Sequence, residues 1–435
     1  MMDEKLKGIL VGVDYRNRED DFVHLMEELR GLAFACDIEV VGEITQNMDQ
    51  INSSHYLGKG KLEELKGLID YTEADLLIAN DELSPSQIRV LEDKLGIEAI
   101  DRTMLILDIF ARRARTREAK LQVEVARLQY MLPRLVGRKM YDQQGGGAGF
   151  ANRGAGETGL ELDRRKIEDR ISSLKKELDV LTSRRKIQRK KRERSGLPLV
   201  SLVGYTNAGK STIMNKMIEL FQGSLDKQVF EKDMLFATLE TSIRKIVLPD
   251  NKIFLLTDTV GFINKLPHHL VKAFHSTLEE VAEADLLIHV VDCSDPRYET
   301  YIEVTNKTLK EIGVKDIPII YAFNKADLTD IQIPLVKDNV VYLSAREKIG
   351  LEELINLVRK NLFEDYVCCE FLIPFDRGDL MSYFHEKASV LKVAYEENGT
   401  LLLVECRASD YERYKEYVIR TDNCMDNSST HNNIS

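Results

Sequence analysis

No stretch of this chain stays apolar for the roughly 20 residues that a helix needs to cross a bilayer, which excludes a helical membrane span. The opening MMDEKLKG is acidic and polar, so no secretory leader is read there. Tryptophan is absent. The six cysteines, Cys36, Cys293, Cys368, Cys369, Cys406 and Cys424, lack metal-ligand spacing. Cys368 and Cys369 are adjacent and would face opposite sides of a strand. All six are expected as reduced thiols of a cytoplasmic protein, one that leaves room for peripheral contact with a membrane. Net positive charge is lacking too: at −11, the chain is no general nucleic-acid coat.

What is present describes a soluble globular protein, 43% hydrophobic and 31% charged. Its 435 residues suffice for about three domains. The mean charge hides a segregation. Arg164–Arg194 holds 14 Lys/Arg against 5 Asp/Glu, a local +9 that leaves −20 for the remainder. Ala111–Lys139 adds nine Lys/Arg against two Glu. Basic charge gathered into one element points to a polyanion contact made by that element alone.

Residues 1–100 alternate strand and helix. KGILVGV (Lys7–Val13) reads as a strand. Asp20–Ala35 reads as a helix with Phe22, Leu25, Leu29 and Leu32 on one face. Ser84-Pro85 supplies an N-cap and a first-turn proline for a further helix. This predicts a small α/β domain with a largely parallel sheet, ending near Asp101. Its segment HYLGKGK (His55–Lys61) is a loop before a helix that could take an anion or a second nucleotide; a plain loop is preferred because no phosphate-binding motif is complete.

Residues 101–195 read as a helical arm. One uninterrupted helix is expected from Asp101 to about Leu132, decorated by Arg102, Arg112, Arg113, Arg115, Arg117 and Arg127. A second is expected over about 160–194, with Leu162, Ile167, Ile171, Leu174, Leu178 and Leu181 as its apolar stripe. The pair makes a long antiparallel arm. Its tip, Gly145–Gly159, has seven glycines in fifteen residues and is expected to lack regular structure. The G-x-G-x-x-G at Gly154, Gly156 and Gly159 is not a dinucleotide fingerprint, because its context is helix, loop, helix. Phe150, Asn152, Arg153 and Glu157 sit among the glycines and suit a tip that binds RNA or protein.

Residues 196–363 carry a nucleotide domain. LVSLVGYTNAGKST (Leu199–Thr212) places G-x-x-x-x-G-K-S between a strand and a helix. Gly204, Tyr205, Thr206, Asn207, Ala208 and Gly209 would wrap phosphates with backbone N–H groups. Lys210 would reach the β- and γ-phosphates, the Ser211 hydroxyl would hold Mg²⁺, and Thr212 continues the helix whose positive end faces them. Phe236-Ala237-Thr238-Leu239-Glu240 follows in a loop, where Thr238 would join Mg²⁺ only with a γ-phosphate present. Asp258-Thr259-Val260-Gly261 then puts a carboxylate near the metal and a glycine N–H near the γ-phosphate. Asn324-Lys325-Ala326-Asp327 would read guanine, with a buried Asp327 accepting from N1–H and N2–H₂. Ser344-Ala345-Arg346 would offer a backbone N–H to O6. Five loops in this order specify a GTP-binding P-loop fold. Lys210, Thr238 and Gly261 are the expected catalytic groups.

Phe262 follows Gly261, where signalling GTPases carry a water-orienting glutamine, so slow intrinsic turnover with stimulation by a partner is expected. His268, His269, His275 and Glu279 are nearby candidates for that role. Asn207 could add K⁺ as a second cation, although asparagine also suits a tight turn. Residues 364–420 read as a small α+β module, with a strand, a helix at Gly378–Lys387, a hairpin around Glu397-Asn398-Gly399 and a last helix at Tyr411–Ile419. Residues 421–435 are expected to be disordered. The fold class is thus α/β multidomain: N-terminal α/β domain, helical arm, doubly wound P-loop GTPase with a mostly parallel sheet, and C-terminal α+β module.

GYTNAGKST, FATLE, DTVGF, NKAD and SAR, preceded by ARTREAKLQVEVARLQY and GAGETGLELDRRKI, resemble the HflX family of bacterial GTPases over nearly the whole chain. The resemblance implies a GTPase, acting as a monomer, that binds the large (50S) ribosomal subunit and its rRNA through the N-terminal domain and arm. It also implies that the protein splits or rescues stalled ribosomes or assists ribosome biogenesis. Glu240-Thr241 departs from the Asp-Pro-Thr frequent in the family and leaves Thr238 untouched. Two other classes stand beside this one: a signalling switch GTPase acting on a protein complex, and an RNA-remodelling NTPase with an ATP site in residues 1–100.

Overall fold

The computed structural model describes residues 5–15, 19–138, 153–222, 236, 242–264 and 280–422. The first unit runs β1 (Lys7–Asp14), α1 (Glu19–Ala35), β2 (Glu39–Asn47), α2 (Lys59–Thr72), β3 (Leu76–Ala79), α3 (Pro85–Leu95) and β4 (Glu98–Asp101). Its sheet is parallel throughout, in the order β2-β1-β3-β4. KGILVGV is apolar at nearly every position because both faces of β1 are covered: Leu10 packs into one cluster, Ile9 and Val11 into the other. Ser84 caps α3 as read from the sequence; its Oγ accepts from Gln87 N at 3.2 Å and its N donates to Gln87 Oε1 at 2.9 Å. The HYLGKGK loop packs as structure: Tyr56 is buried and donates to Asp81 Oδ2 at 2.8 Å, and Gly58 N donates to Gln46 Oε1 at 2.8 Å.

The helix expected over 101–132 is broken in two, α4 (Arg102–Arg113) and α5 (Arg117–Arg138). Ala114 turns to extended backbone and the Thr116 hydroxyl accepts from Ala119 N at 3.2 Å, so a local cap outcompetes continuation. Arg102 is 2% exposed, not a surface cation of the arm. Partner helix α6 (Arg153–Ser195) begins inside the glycine-rich segment expected to be irregular, because extending an existing helix is cheaper than nucleating one. Arg153 and Glu157 lie in its first two turns; Phe150 and Asn152 lie outside the described residues. With 43 residues it reaches about 65 Å. α5 and α6 are antiparallel: Arg117 pairs with Glu177, and Arg170 bonds Glu124 at 2.8 Å. Leu121, Val125, Ile171 and Leu174 form the seam between them.

The nucleotide unit contains β5 (Leu199–Val203), α7 (Lys210–Gln222), β6 (Ser242–Val247), β7 (Ile253–Asp258), β8 (Leu286–Asp292), α8 (Tyr298–Glu311), β9 (Ile319–Asn324), β10 (Leu335–Lys337), β11 (Val340–Tyr342) and α9 (Leu351–Leu362). Strand order is β10-β11-β9-β8-β5-β7-β6, with β6 and β10 antiparallel at the two edges. α7 and α9 cover one face, α8 the other, which makes the sheet doubly wound.

The last unit holds β12 (Tyr366–Ile373), α10 (Gly378–Lys387), β13 (Ser389–Glu396), β14 (Gly399–Arg407), α11 (Ala408–Arg413) and β15 (Val418–Asp422) in the antiparallel order β13-β14-β12-β15. The expected helix over 411–419 is replaced by the short α11, a 3₁₀ turn and β15, which pairs antiparallel with β12 and becomes the edge strand on that side. Thr421 and Asp422 therefore belong to the sheet; the rest of the expected tail lies outside the described residues. Cys368 is disulfide-bonded, which overturns the expectation of six reduced thiols, while Cys36, Cys293, Cys369 and Cys406 are free. Pairing depends on which Cβ atoms the fold brings together, and spacing along the chain does not report that. Among the described residues no helix is long and apolar enough to cross a membrane.

Leu174 is 1% exposed and sits in the narrow seam of the arm. Leu174→Ala should destabilise the helix pair by about 2–5 kcal/mol. It should speed limited proteolysis within 117–195 while leaving guanine-nucleotide affinity unchanged; equal cleavage rates would show that the seam does not hold the arm.

Candidate nucleotide site

The loop after β5 is fixed by what surrounds its backbone. Gly204 has φ 144°, and a Cβ there would fall 2.2 Å from Val290 O. Gly209 has φ 97°, and a Cβ would fall 2.1 Å from Asn324 Nδ2. Both positions require glycine. Asn207 also adopts left-handed backbone, φ 63°. The loop is tied to the segment that follows β7, since Thr206 N donates to Phe262 O at 2.8 Å and Phe262 N to Gly204 O at 3.1 Å.

Lys210 opens α7 and is 6% exposed. Its Nζ donates to Gly204 O at 3.0 Å and Tyr205 O at 2.7 Å. Burial pulls its pKa down to about 8, with the Asp258 carboxylate opposing. The next residue, Ser211, donates its hydroxyl to Asp258 Oδ2 at 2.7 Å, and Asp258 is fully buried at the end of β7. Thr259 donates to Leu202 O at 2.7 Å, which anchors the turn into Val260 and Gly261. Two hard oxygen donors beside a phosphate-binding loop fit Mg²⁺, which takes one or two protein oxygens and leaves the rest of its shell to phosphate and water. Among the described residues no cluster of three or more His, Cys, Asp or Glu offers an alternative metal site. Ala237, Thr238, Leu239 and Glu240 lie outside the described residues, as do His268, His269, His275 and Glu279.

A cavity of about 420 Å³ opens beyond the loop, lined by Asn207, Gly209, Asn324, Lys325, Asp327 and Arg346 among others. Asn324 is 3% exposed, and its amide bonds within the protein: Nδ2 donates to Ala208 O and Oδ1 accepts from Ala345 N, both at 2.9 Å. It thus braces the phosphate loop against Ser344-Ala345-Arg346 with one amide hydrogen and one oxygen lone pair, and the Ala345 N–H is engaged by it. Asp327 is exposed at the wall of this cavity, not buried as the specificity argument expects. It stands on a one-turn 3₁₀ helix, Ala326–Leu328, which leaves its carboxylate to solvent until a base covers it. Lys325 pairs with Asp292 at 2.7 Å.

Several groups at the site carry no sequence signature. Tyr205 stacks on Tyr301 with ring centroids 4.1 Å apart and hydrogen-bonds Glu28 of α1. Arg102 pairs with Glu28 and donates to Asn264 O at 3.1 Å, while Asn264 N donates to Tyr205 Oη at 2.8 Å. Phe110 of α4 meets Phe236 edge-on at 4.8 Å. His289 is 1% exposed; burial and the nearby Lys210 charge push its pKa down to about 4, so its ring is neutral.

Residues 24–111 match the family described as GTP-binding GTPase N-terminal, 113–192 the GTP-binding GTPase Middle Region and 199–325 the 50S ribosome-binding GTPase. The chain is 44% identical over 417 residues to GTPase HflX of Caldanaerobacter subterraneus subsp. tengcongensis, covering 96% of this chain and 94% of that one. It is 37% identical over 404 residues to GTPase HflX of Escherichia coli (strain K12), covering 91% and 92%. Among solved structures it is similar to a GTP-binding protein from the archaeon Sulfolobus solfataricus in complex with GDP, at 26% identity and TM-score 0.44 over 82% of this chain and 98% of that one.

The Lys210 pKa gives the site a pH signature. Polyphosphate favours the charged ammonium, so above pH about 8 nucleotide binding must take up a proton at Lys210. Affinity should fall as pH rises through that value. Calorimetry of GDP binding at alkaline pH in buffers of different ionisation heat should show the uptake; heats independent of buffer would rule it out.

Proposed function

This chain belongs to the HflX family of GTPases, and we propose that it couples GTP hydrolysis to the splitting or rescue of stalled ribosomes on the large subunit. The observation that carries this reading is the union, on one chain, of a phosphate loop and base cavity with a basic helical arm of about 65 Å. The described match of residues 199–325 to a 50S ribosome-binding GTPase supports the choice of partner.

In this reading, N–H groups of Gly204 to Gly209 wrap the phosphates, Lys210 neutralises the β- and γ-oxygens, and Gly261 N–H meets the γ-phosphate. Ser211 and, with GTP bound, Thr238 hold Mg²⁺, with Asp258 behind Ser211. Bound there, Mg²⁺ neutralises charge on the β- and γ-phosphate oxygens. Asn207, within the loop, is the residue that would add K⁺ in this reading. Phe262 is 3% exposed within the apolar cluster of Val203 and Leu287, so it cannot orient water, and unstimulated turnover is slow. The segregated charge of the arm gains RNA affinity by counterion release, which makes ribosome binding steeply salt-dependent. Nucleotide state acts by ordering the loops around Thr238 and Gly261.

Two experiments test the reading. Asp327→Asn turns an acceptor into a donor facing guanine N2–H₂; GTP affinity should fall at least about tenfold and xanthosine triphosphate should gain. Unchanged GTP affinity would remove Asp327 from base recognition. Replacing 145–159 with a short neutral linker should spare GTP binding and basal hydrolysis but abolish subunit splitting, measured by sedimentation of purified ribosomes with GTP. Splitting at the normal rate would make the tip a mere connector.

A further inference from the structure

The hydrolytic water needs a partner that Phe262 cannot be, and the geometry points to Thr206 as the residue that orients it. We propose that the Thr206 hydroxyl accepts a hydrogen bond from the attacking water and aligns it with the γ-phosphorus; this rests on the GTPase reading of the site. Thr206 is 6% exposed, and its Oγ1 has no hydrogen-bond partner among the described residues. A buried hydroxyl without a partner is costly, which marks the group as one whose partner arrives with the substrate.

Its position agrees. The backbone ties Thr206 N to Phe262 O and Phe262 N to Gly204 O press Thr206 against Gly261. A Cβ on Gly261 would lie 2.8 Å from Thr206 Cγ2 and 3.1 Å from Lys210 Nζ. The Thr206 methyl, the Gly261 backbone and the Lys210 ammonium therefore converge where the γ-phosphoryl group would be held, and the unpartnered hydroxyl is carried on the same Cβ. Thr206 also lines a second cavity, of about 410 Å³, between α1 and the phosphate loop. His289, whose Nδ1 likewise lacks a partner, lines it too. A cavity of this size has room for several waters beside the phosphate loop.

In the step itself the water oxygen bonds to the γ-phosphorus while the bond from that phosphorus to the β–γ bridging oxygen breaks. The bonding pair leaves with GDP, and a water proton passes to a γ-phosphoryl oxygen. Thr206 holds the water's second hydrogen and gains or loses no proton. The chain thereby replaces a mobile glutamine with a hydroxyl fixed on the phosphate loop.

The test compares the full-length protein with Thr206→Val and Thr206→Ser. Valine keeps the shape and removes the hydroxyl, so kcat should fall roughly 100-fold. Affinity for GDP and for a non-hydrolysable GTP analogue should stay within about twofold, and serine should restore most of the rate, as expected of a group that acts only on the transition state. If the valine protein proves unfolded by thermal denaturation, Thr206→Ala carries the same comparison. Wild-type turnover in the valine or alanine protein overturns the proposal. So does a loss of analogue affinity equal to the loss of rate, which would place the hydroxyl on ground-state phosphate, and so does a serine protein as slow as valine, which would make the methyl group the reason. A wild-type protein that binds no guanine nucleotide would refute the GTPase reading itself and is told apart by that binding measurement.

Discussion

A single desolvated ammonium sets the terms for the nucleotide domain. Lys210 is buried, and two inward-turned carbonyls, Gly204 O and Tyr205 O, receive it. Carbonyl dipoles offset part of the desolvation and supply no countercharge; its lowered pKa measures the shortfall. Asp258 is the nearest acid that answers it, and Asp258 is engaged by Ser211. A polyanion entering the loop thus meets a cation whose hydration has already been removed, within a backbone already curled. The glycines follow from the same constraint: carbonyls can turn toward Lys210 only if Gly204 and Gly209 adopt dihedrals and contacts that exclude a side chain.

Asn324 extends this constraint to the base. Because one amide bonds both Ala208 O and Ala345 N, the loops for phosphate and base form one rigid unit. The rigidity is enthalpically sound, since both bonds are buried and an amide missing either would leave an unpaired group. In the proposed reading, discrimination between bases falls to the exposed Asp327 at the wall of the same cavity.

The motifs of the site were legible because each loop residue is dictated by the atom it must meet. Parallel strands were legible as apolar runs, and the N-terminal unit and arm appeared in their expected order. What escaped has local physical reasons. The break at 114–116 turns on a single threonine hydroxyl choosing a cap over a helix. β15 forms because β12 offers its backbone a ladder of partners, and that strand lies some fifty residues away in sequence. Arg102 looks like one more cation of a basic arm, yet Glu28, Asn80 and Asn264, far apart in sequence, converge on it and bury it. Asp327 was expected buried because specificity arguments imagine the base in place; the protein alone leaves it open. Asn324 also joins the loops to one another, a role that only the three-dimensional meeting of Ala208 and Ala345 creates.

The arm and the nucleotide site are joined by contacts of very different stiffness. Along the arm, the pairs Arg117–Glu177 and Arg170–Glu124 are largely solvent-exposed and each contributes at most about 1 kcal/mol. At its root the situation reverses. Arg102 is desolvated enough for its pKa to fall to about 10, and it joins Glu28 and the Asn264 backbone, only three residues beyond Gly261. Both the N–H and the C=O of Asn264 are held, one by Tyr205 of the phosphate loop and the other by Arg102 of α4. The same helix packs Phe110 on Phe236, so its two ends contact two separate parts of the nucleotide unit. A shift of the Gly261 segment therefore cannot be absorbed by Asn264 alone. It must either break these half-buried hydrogen bonds or move α4 with it, and α4 leads through Ala114 and Thr116 directly into the arm.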